Sequence, residues 1–244
     1  MEQRHGWDKR IKLLRISSIA IVVSLILLLL FAWFTFYGSR VGSFVIRIDG
    51  SNNIQLALSK REDLSDAASR IVVDSLDGQS DGTYDDVDRN IAKSAVGAKN
   101  DASRRYMAFS FYLLNRTTHA IDYTMSIDVL EVTGDLISIL RVMIIEDDNP
   151  KEENTIYAVP EATLEDQRLL EESFRIYQNT FYATEDILPT DGQYTKIMEK
   201  NVLDFEGGGK KKYTVVMWLE GNDPQCTDER LEEIIKMEMT FTGH

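Results

Sequence analysis

A twelve-residue acidic stretch carries the residues whose types and spacing could hold a metal ion. With Asp77 as position 1, oxygen side chains fall at 1, 3, 5, 9 and 12 (Asp77, Gln79, Asp81, Asp85, Asp88), with Gly82 at 6 and Thr83 at 7. Calcium takes roughly six to eight hard oxygen ligands, and an EF-hand loop distributes them at these positions around a glycine turn. The fit is partial: Gln79 stands where Asp or Asn is usual, Asp88 stands where a bidentate Glu is usual, and the flanking segments do not read as paired helices. The competing account is a solvated acidic loop whose Asp and Gly residues serve turn chemistry. Calcium is the cofactor the stretch would take, and Asp77, Gln79, Asp81, Thr83, Asp85 and Asp88 are its candidate ligands.

A second constellation, Glu220, Asp223 and Cys226, follows Trp218 and Leu219 directly after an apolar run. A carboxylate pair beside a tryptophan could form a site, but no base or nucleophile accompanies it. The simpler reading puts Trp218 and Leu219 in the core, makes a turn of Asn222-Asp223-Pro224, and uses Cys226 as a small apolar filler. Asp223, Asp228 and Glu229 also deny Cys226 the electropositive setting a reactive thiol needs. His119 sits at a Thr117-Thr118-His119 turn, where a solvated role is expected. No H-E-x-x-H, G-x-S-x-G, P-loop or Rossmann fingerprint is present, so no catalytic residue is assigned and the chain is not read as an enzyme. Asn115-Arg116-Thr117 matches the N-glycosylation pattern.

These residues must be positioned by the elements around them, and the first element is apolar. From Ile16 to Tyr37 the chain carries no charge. At about 1.5 Å per residue a helix of that length matches the roughly 30 Å hydrocarbon core of a bilayer. Arg4, Lys9, Arg10, Lys12 and Arg15 oppose Glu2 and Asp8, so residues 1–15 carry +3, and the positive-inside rule places them in the cytoplasm. The total of −13 leaves −16 on the remainder, which argues against nucleic-acid binding and against an anionic lipid surface. A cleaved signal peptide is the rival, opposed by the length of the run and by the lack of an A-x-A-like site before Ser39. The expected organisation is a cytoplasmic tail 1–15, a transmembrane signal anchor 16–37, a linker 38–42 and an extracytoplasmic domain 43–244.

Within that domain apolar residues recur with period 2, the mark of half-buried strands. Phe44, Ile46 and Ile48 form one set and Ile54, Leu56 and Leu58 another, with Gly50 to Asn53 predicting a hairpin turn between them. Further sets are Met107 to Leu113, Ile121 to Val129, and Ile235 to Phe241 with Lys236, Glu238 and Thr240 facing water, while Leu140 to Ile145 is an apolar stretch and Tyr213 to Leu219 reads as another strand. Leu164, Leu170, Phe174 and Tyr177 behind Thr163-x-x-Asp166 predict one short peripheral helix. Residues 74–88, 146–153 and 184–193 read as long acidic loops. The single Cys226 excludes a disulfide scaffold. The expectation is a mainly β, antiparallel sandwich of jelly-roll type with one N-terminal transmembrane helix.

Ala32-Trp33-Phe34-Thr35, Leu56-Ala57-Leu58-Ser59 with Asp63-Leu64-Ser65, and Trp218-Leu219-Glu220-Gly221-Asn222-Asp223-Pro224 resemble surface proteins of Gram-positive bacteria, the camelysin and TasA-like group. The resemblance implies an exported jelly-roll sandwich and, for some members, a biofilm-matrix fibre subunit. The small-residue cleavage site is missing here, and no zinc motif matches the protease label that camelysin carries. The function expected is thus a membrane-anchored structural or interaction role at the cell surface, working through exposed strand edges or acidic loops by self-association or with a protein partner. The alternatives are a calcium-responsive module using the 77–88 loop, a secreted matrix subunit, and a hydrolase built on a carboxylate pair.

Overall fold

Successive side chains of a strand point to opposite faces, so period-2 apolar spacing commits one face to burial. The computed structural model describes residues 21–31, 42–50, 56–73, 80–96, 105–147, 156–158, 196–223, 225–228 and 233–244. The chain separates into two units, 1–41 and 42–244. In the first, residues 21–31 are helical (α1). The second holds strands β1 Ser43–Ile48, β2 Leu56–Ser59, β3 Arg70–Val73, β4 Met107–Asn115, β5 Ile121–Val132, β6 Leu140–Glu146, β7 Ile156–Tyr157, β8 Lys196–Phe205, β9 Lys210–Leu219 and β10 Ile235–Gly243. Two short helices, α2 Arg89–Ser94 and α3 Leu136–Ile139, and a 3-10 turn Tyr84–Asp86 complete it.

The strands form two five-stranded sheets, β3-β1-β10-β5-β8 and β2-β4-β9-β6-β7, antiparallel throughout except for the parallel β1/β10 pair. Between the sheets lies one core. Phe44, Tyr123, Met239 and Phe241 of the first sheet meet Phe111, Leu113, Tyr213 and Val215 of the second, all 0% exposed. Phe111, Tyr213 and Phe241 pack with ring centroids 5.7–5.9 Å apart, and Tyr123 packs edge-on against Phe205 at 5.5 Å. A buried phenol needs a partner for its hydroxyl. Tyr123 and Tyr213 supply one another's across the sandwich, and burial pushes the Tyr123 hydroxyl well above the usual phenol range.

One side of the sandwich is sealed by a strand that changes sheets. Ala68 exchanges two main-chain hydrogen bonds of 2.8 Å with Leu58 of β2, and the chain then runs into β3, which pairs with β1. The outer face of the first sheet is polar. There Arg47 meets Glu238 at 2.6 Å and Lys236 meets Glu131 at 2.6 Å.

Several expectations are corrected. β1 and β2 belong to different sheets and form no hairpin, because β1 is drawn to β10 and β2 to β4. Thr240 does not face water: it is 9% exposed between the neighbouring strands β1 and β5. β3, β7, β8, α2 and α3 add to the expected strands, and the expected acidic loop 74–88 contains the 3-10 turn. The predicted helix 163–177 lies outside the described residues. Among the described residues no helix is long and apolar enough to cross a membrane. Residues 16–20 and 32–37 of the expected span lie outside them.

The Asn115 sequon is corrected as well. Asn115 is 0% exposed, and its amide nitrogen donates to the carbonyls of His119 (3.0 Å), Phe205 (2.9 Å) and Glu206 (3.0 Å) while its oxygen accepts from the Thr117 amide (2.9 Å) and hydroxyl (2.7 Å). It clamps the β4–β5 turn to the β8–β9 turn, which touch so closely that a Cβ on Gly207 would lie 2.4 Å from the carbonyl carbon of Thr118. Asn115→Ala would remove this donor from three carbonyls, of which His119 and Glu206 keep the Thr117 hydroxyl and the Gly209 amide, and a buried group left unsatisfied costs about 1–3 kcal/mol. We expect Asn115→Ala to lower the unfolding free energy by about 2–4 kcal/mol in urea titrations, and the folded chain to accept no glycan at this position.

Candidate functional site

The second sheet buries both of its faces, and its outer face carries the polar cluster of greatest interest. Along β9 the inward residues Tyr213, Val215 and Met217 enter the main core, while Val216 and Trp218 point outward beside Met143 and Arg141 of β6. Residues 80–96 cover this outer strip. Ala92 and Ala95, with Tyr84 and Val87, pack on Tyr106, Ala108, Met143, Ile145, Ile156, Val216 and Trp218. The Tyr84 and Trp218 ring centroids are 6.3 Å apart.

The cover is pinned at both ends by main-chain bonds. Gly82 donates to the Leu219 carbonyl at 2.9 Å and accepts from the Gly221 amide at 2.8 Å, and Ser110 donates to the Ala95 carbonyl at 2.8 Å. Such an approach requires glycine at 82, where a Cβ would stand 2.2 Å from the Arg105 carbonyl oxygen. Local side chains shape the segment. Asp86 accepts from the Thr83 amide (2.9 Å) and hydroxyl (3.1 Å), and Asp88 caps α2 by accepting from the amides of Asn90 (2.9 Å) and Ile91 (3.1 Å). Burial is the largest single influence on Asp86 and raises its pKa; the Thr83 hydrogen bonds and the Arg105 guanidinium at 3.2 Å together outweigh it and hold the carboxyl below its usual range.

Beneath the point where Gly82 docks lie three buried charges. Arg141 Nη2 meets Asp223 Oδ2 at 2.9 Å with both side chains 1% exposed, and Arg141 Nη1 donates to the Ser138 (2.9 Å) and Leu140 (3.1 Å) carbonyls. Asp223 Oδ1 accepts from the Gln225 amide at 2.8 Å, which closes the expected turn. Glu220, 0% exposed, accepts from Trp218 Nε1 at 2.9 Å and from the Asn222 amide at 3.2 Å. Burial pushes the Glu220 carboxyl above its usual range and the charge of Asp223 adds to this; the two hydrogen bonds and Arg141 oppose the shift without cancelling it. With both acids ionised the cluster carries one net negative charge in the interior. None of its members presents surface to a substrate, so its chemistry is that of a tie between β6, β9 and the turn that follows.

Of the expected calcium ligands, Asp77 and Gln79 lie outside the described residues. Asp81, Asp85 and Asp88 are exposed, while Thr83 and Asp88 spend oxygen atoms on the hydrogen bonds within the segment given above. Among the described residues no three His, Cys, Asp or Glu side chains group as a metal site. Trp218 (3% exposed) and Leu219 (9%) are core residues, and Cys226 packs against the main core. Arg141 went unread within the apolar run Leu140 to Ile145, although a lone charge there is itself a signal, since a buried guanidinium demands a carboxylate. A shallow groove of about 300 Å³ lies at the opposite end of the second sheet, where Lys212 pairs with Asp147 at 3.2 Å and Lys210 with Glu62 at 3.5 Å beside Tyr112. No family model, no curated protein and no solved structure matches this chain significantly.

Removing one partner of a buried pair leaves the other charge uncompensated, at about 3–5 kcal/mol. We expect Arg141→Met to destabilise the domain by that amount in equilibrium unfolding, and Arg141→Met combined with Asp223→Leu to recover a measurable part of it. The Asp86 contribution has the acid sign. It is fully present above the ordinary aspartate value and is lost as pH falls through the lower folded one, so Asp86→Asn should flatten the stability profile below pH 3.8.

Proposed function

We propose that the chain is a single-pass membrane protein, with residues 1–15 in the cytoplasm and residues 43–244 outside, whose acidic sandwich plays a structural or interaction role at a bacterial cell surface. The observation that carries this reading is the charge-free run 16–37 behind a tail of +3. Support comes from α1, whose apolar residues stand between 47% (Leu30) and 74% (Phe31) exposed on all sides of the helix. A helix apolar all round belongs in a membrane or a large interior. Twenty-two residues of this kind span a bilayer at about 1.5 Å each.

The jelly-roll reading draws support from the nesting of the pairs. β6/β7, β5/β8 and β4/β9 lie one inside the next and alternate between the sheets as a doubly wrapped hairpin would. The interaction role rests on a rigid frame with a charged exterior, its buried polar groups spent on internal ties.

The test is the intact mass of the protein recovered from fractionated host cells. A full-length product of 27.9 kDa that stays in the membrane pellet through a high-salt wash is expected. A mass beginning near residues 38–44, found in the medium or the wall, would replace the anchored ectodomain by a secreted matrix subunit.

A further inference from the structure

The most consequential feature outside the proposed role is the way the 80–96 segment closes over Glu220. Gly82 bonds to Leu219 on one side of Glu220 and to Gly221 on the other, so the segment pairs edge to edge with the chain at Glu220 while Tyr84 and Val87 pack on the strip beside it that holds Trp218. The groups facing Glu220 come from three places. Trp218 Nε1 and the Asn222 amide donate to it, Arg141 of β6 supplies the neighbouring positive charge, and Asp223 supplies a second negative one. Arg141 is already paired to Asp223 at 2.9 Å, so an ionised Glu220 leaves the cluster one negative charge in excess. On the segment, Asp81 places its Oδ2 2.8 Å from where a Cβ on Gly221 would sit. Arg105 on the same segment's flank is committed to Asp86, and Arg89 lies over the Tyr84 ring at 5.3 Å.

We propose that residues 80–96 form a proton-sensitive latch, held closed over Glu220 while that carboxyl is protonated and opening more often once it is ionised. Closure removes water from a carboxylate that has two neutral donors and a guanidinium already shared, and burying an incompletely compensated charge costs free energy that opening relieves. The direction of the Glu220 shift agrees: its folded value lies above the ordinary 4.5 because burial disfavours the charged form. A raised value means that the stabilisation is complete below 4.5 and is lost as pH climbs through the folded value. Lifting the latch would expose the strip formed by Met143, Val216 and Trp218. Two other groups at the segment titrate elsewhere. Asp86 acts below 3.8, with the opposite sign, and the Tyr106 hydroxyl lies above 10.0.

Amide hydrogen exchange of the full chain in detergent micelles, read by mass spectrometry from pH 4 to 8 and corrected for intrinsic exchange rates, tests the proposal. The opening constant of peptides within 80–96 should climb by up to about tenfold per pH unit above the ordinary glutamate value and then level off. Peptides of β5 and β10 should stay flat. Glu220→Gln, which cannot ionise, should abolish the climb. Trp218→Phe removes a hydrogen bond that favours the carboxylate, so the midpoint should move to higher pH. A pH-independent wild type overturns the latch, as does a climb retained in Glu220→Gln. Should Glu220→Gln fail to fold, a midpoint left unmoved or lowered by Trp218→Phe overturns it instead.

Discussion

A sheet that is apolar on both faces must be covered twice, and this constraint shapes most of the domain. β6 is buried at all seven positions and β9 at its last seven. The inner face is met by the first sheet, as in any sandwich. For the outer face the chain uses the excursion between β3 and β4, whose small helix α2 sets Ala92 and Ala95 against Ala108 and Val216. Small residues on both surfaces let the backbones come near enough for Ser110 to reach the Ala92 carbonyl at 3.2 Å and the Thr214 hydroxyl at 2.7 Å. A helix of six residues has no stability alone, and here it is held by packing and by its Asp88 cap.

Covering that face completely is what creates the buried charges. Arg141 occupies an outward position of β6 that, once roofed, loses access to water. Its guanidinium is then held through Nη1 and Nη2 by Asp223 and two carbonyls, and the turn after β9 is fixed by the same pair. Such a tie adds little net stability over an apolar replacement, yet it penalises any arrangement that separates its partners. Glu220 is the member left imperfectly compensated, and it sits where Gly82 docks.

The two ends of the second sheet differ in kind. At the Trp218 end the ions are sealed, whereas at the Lys210 end a buried Glu146 has partners that reach solvent. Glu146 there accepts Lys211 at 2.7 Å and faces Lys200 at 3.7 Å, bridging the second sheet to β8 of the first. Lys210 and Lys212 meet acidic partners at the surface, where screening makes each pair worth little. The outer face of the first sheet, with polar and charged positions throughout most of its length, needs no cover. It shows only isolated apolar residues such as Val72, Leu130 and Leu203.

Period-2 patterns at Phe44 to Ile48, Ile121 to Val129 and Ile235 to Phe241 were legible because the first sheet buries mainly one face, and the pattern at Met107 to Leu113 because large inward residues alternate with Ala108 and Ser110 under the cover; all four segments are strands. β8 was not legible: as an edge strand it sets Ile197, Met198, Val202, Leu203 and Phe205 among Lys196, Glu199, Lys200 and Asp204 without period-2 spacing, and its pairing with β5 is broken by register shifts. Pairing partners were beyond local reading, since β1 finds β10 almost two hundred residues away and not the nearby β2 that a turn signal suggested. Of the candidate site, Trp218, Glu220 and Asp223 stood out by adjacency, while Arg141 and the Gly82 contact did not, because nothing local relates residues so far apart in the chain. The sequence by itself determined the β class, the acidic charge and the apolar run 16–37, all of which are properties of composition and short-range spacing. Only the tertiary structure decided that Asn115 is a buried clamp, that Asp88 and Thr83 spend oxygens on local capping, and that a second buried carboxylate lies near a guanidinium already paired to Asp223. Burial and long-range contact set those outcomes, and neither is written in any short window of residues.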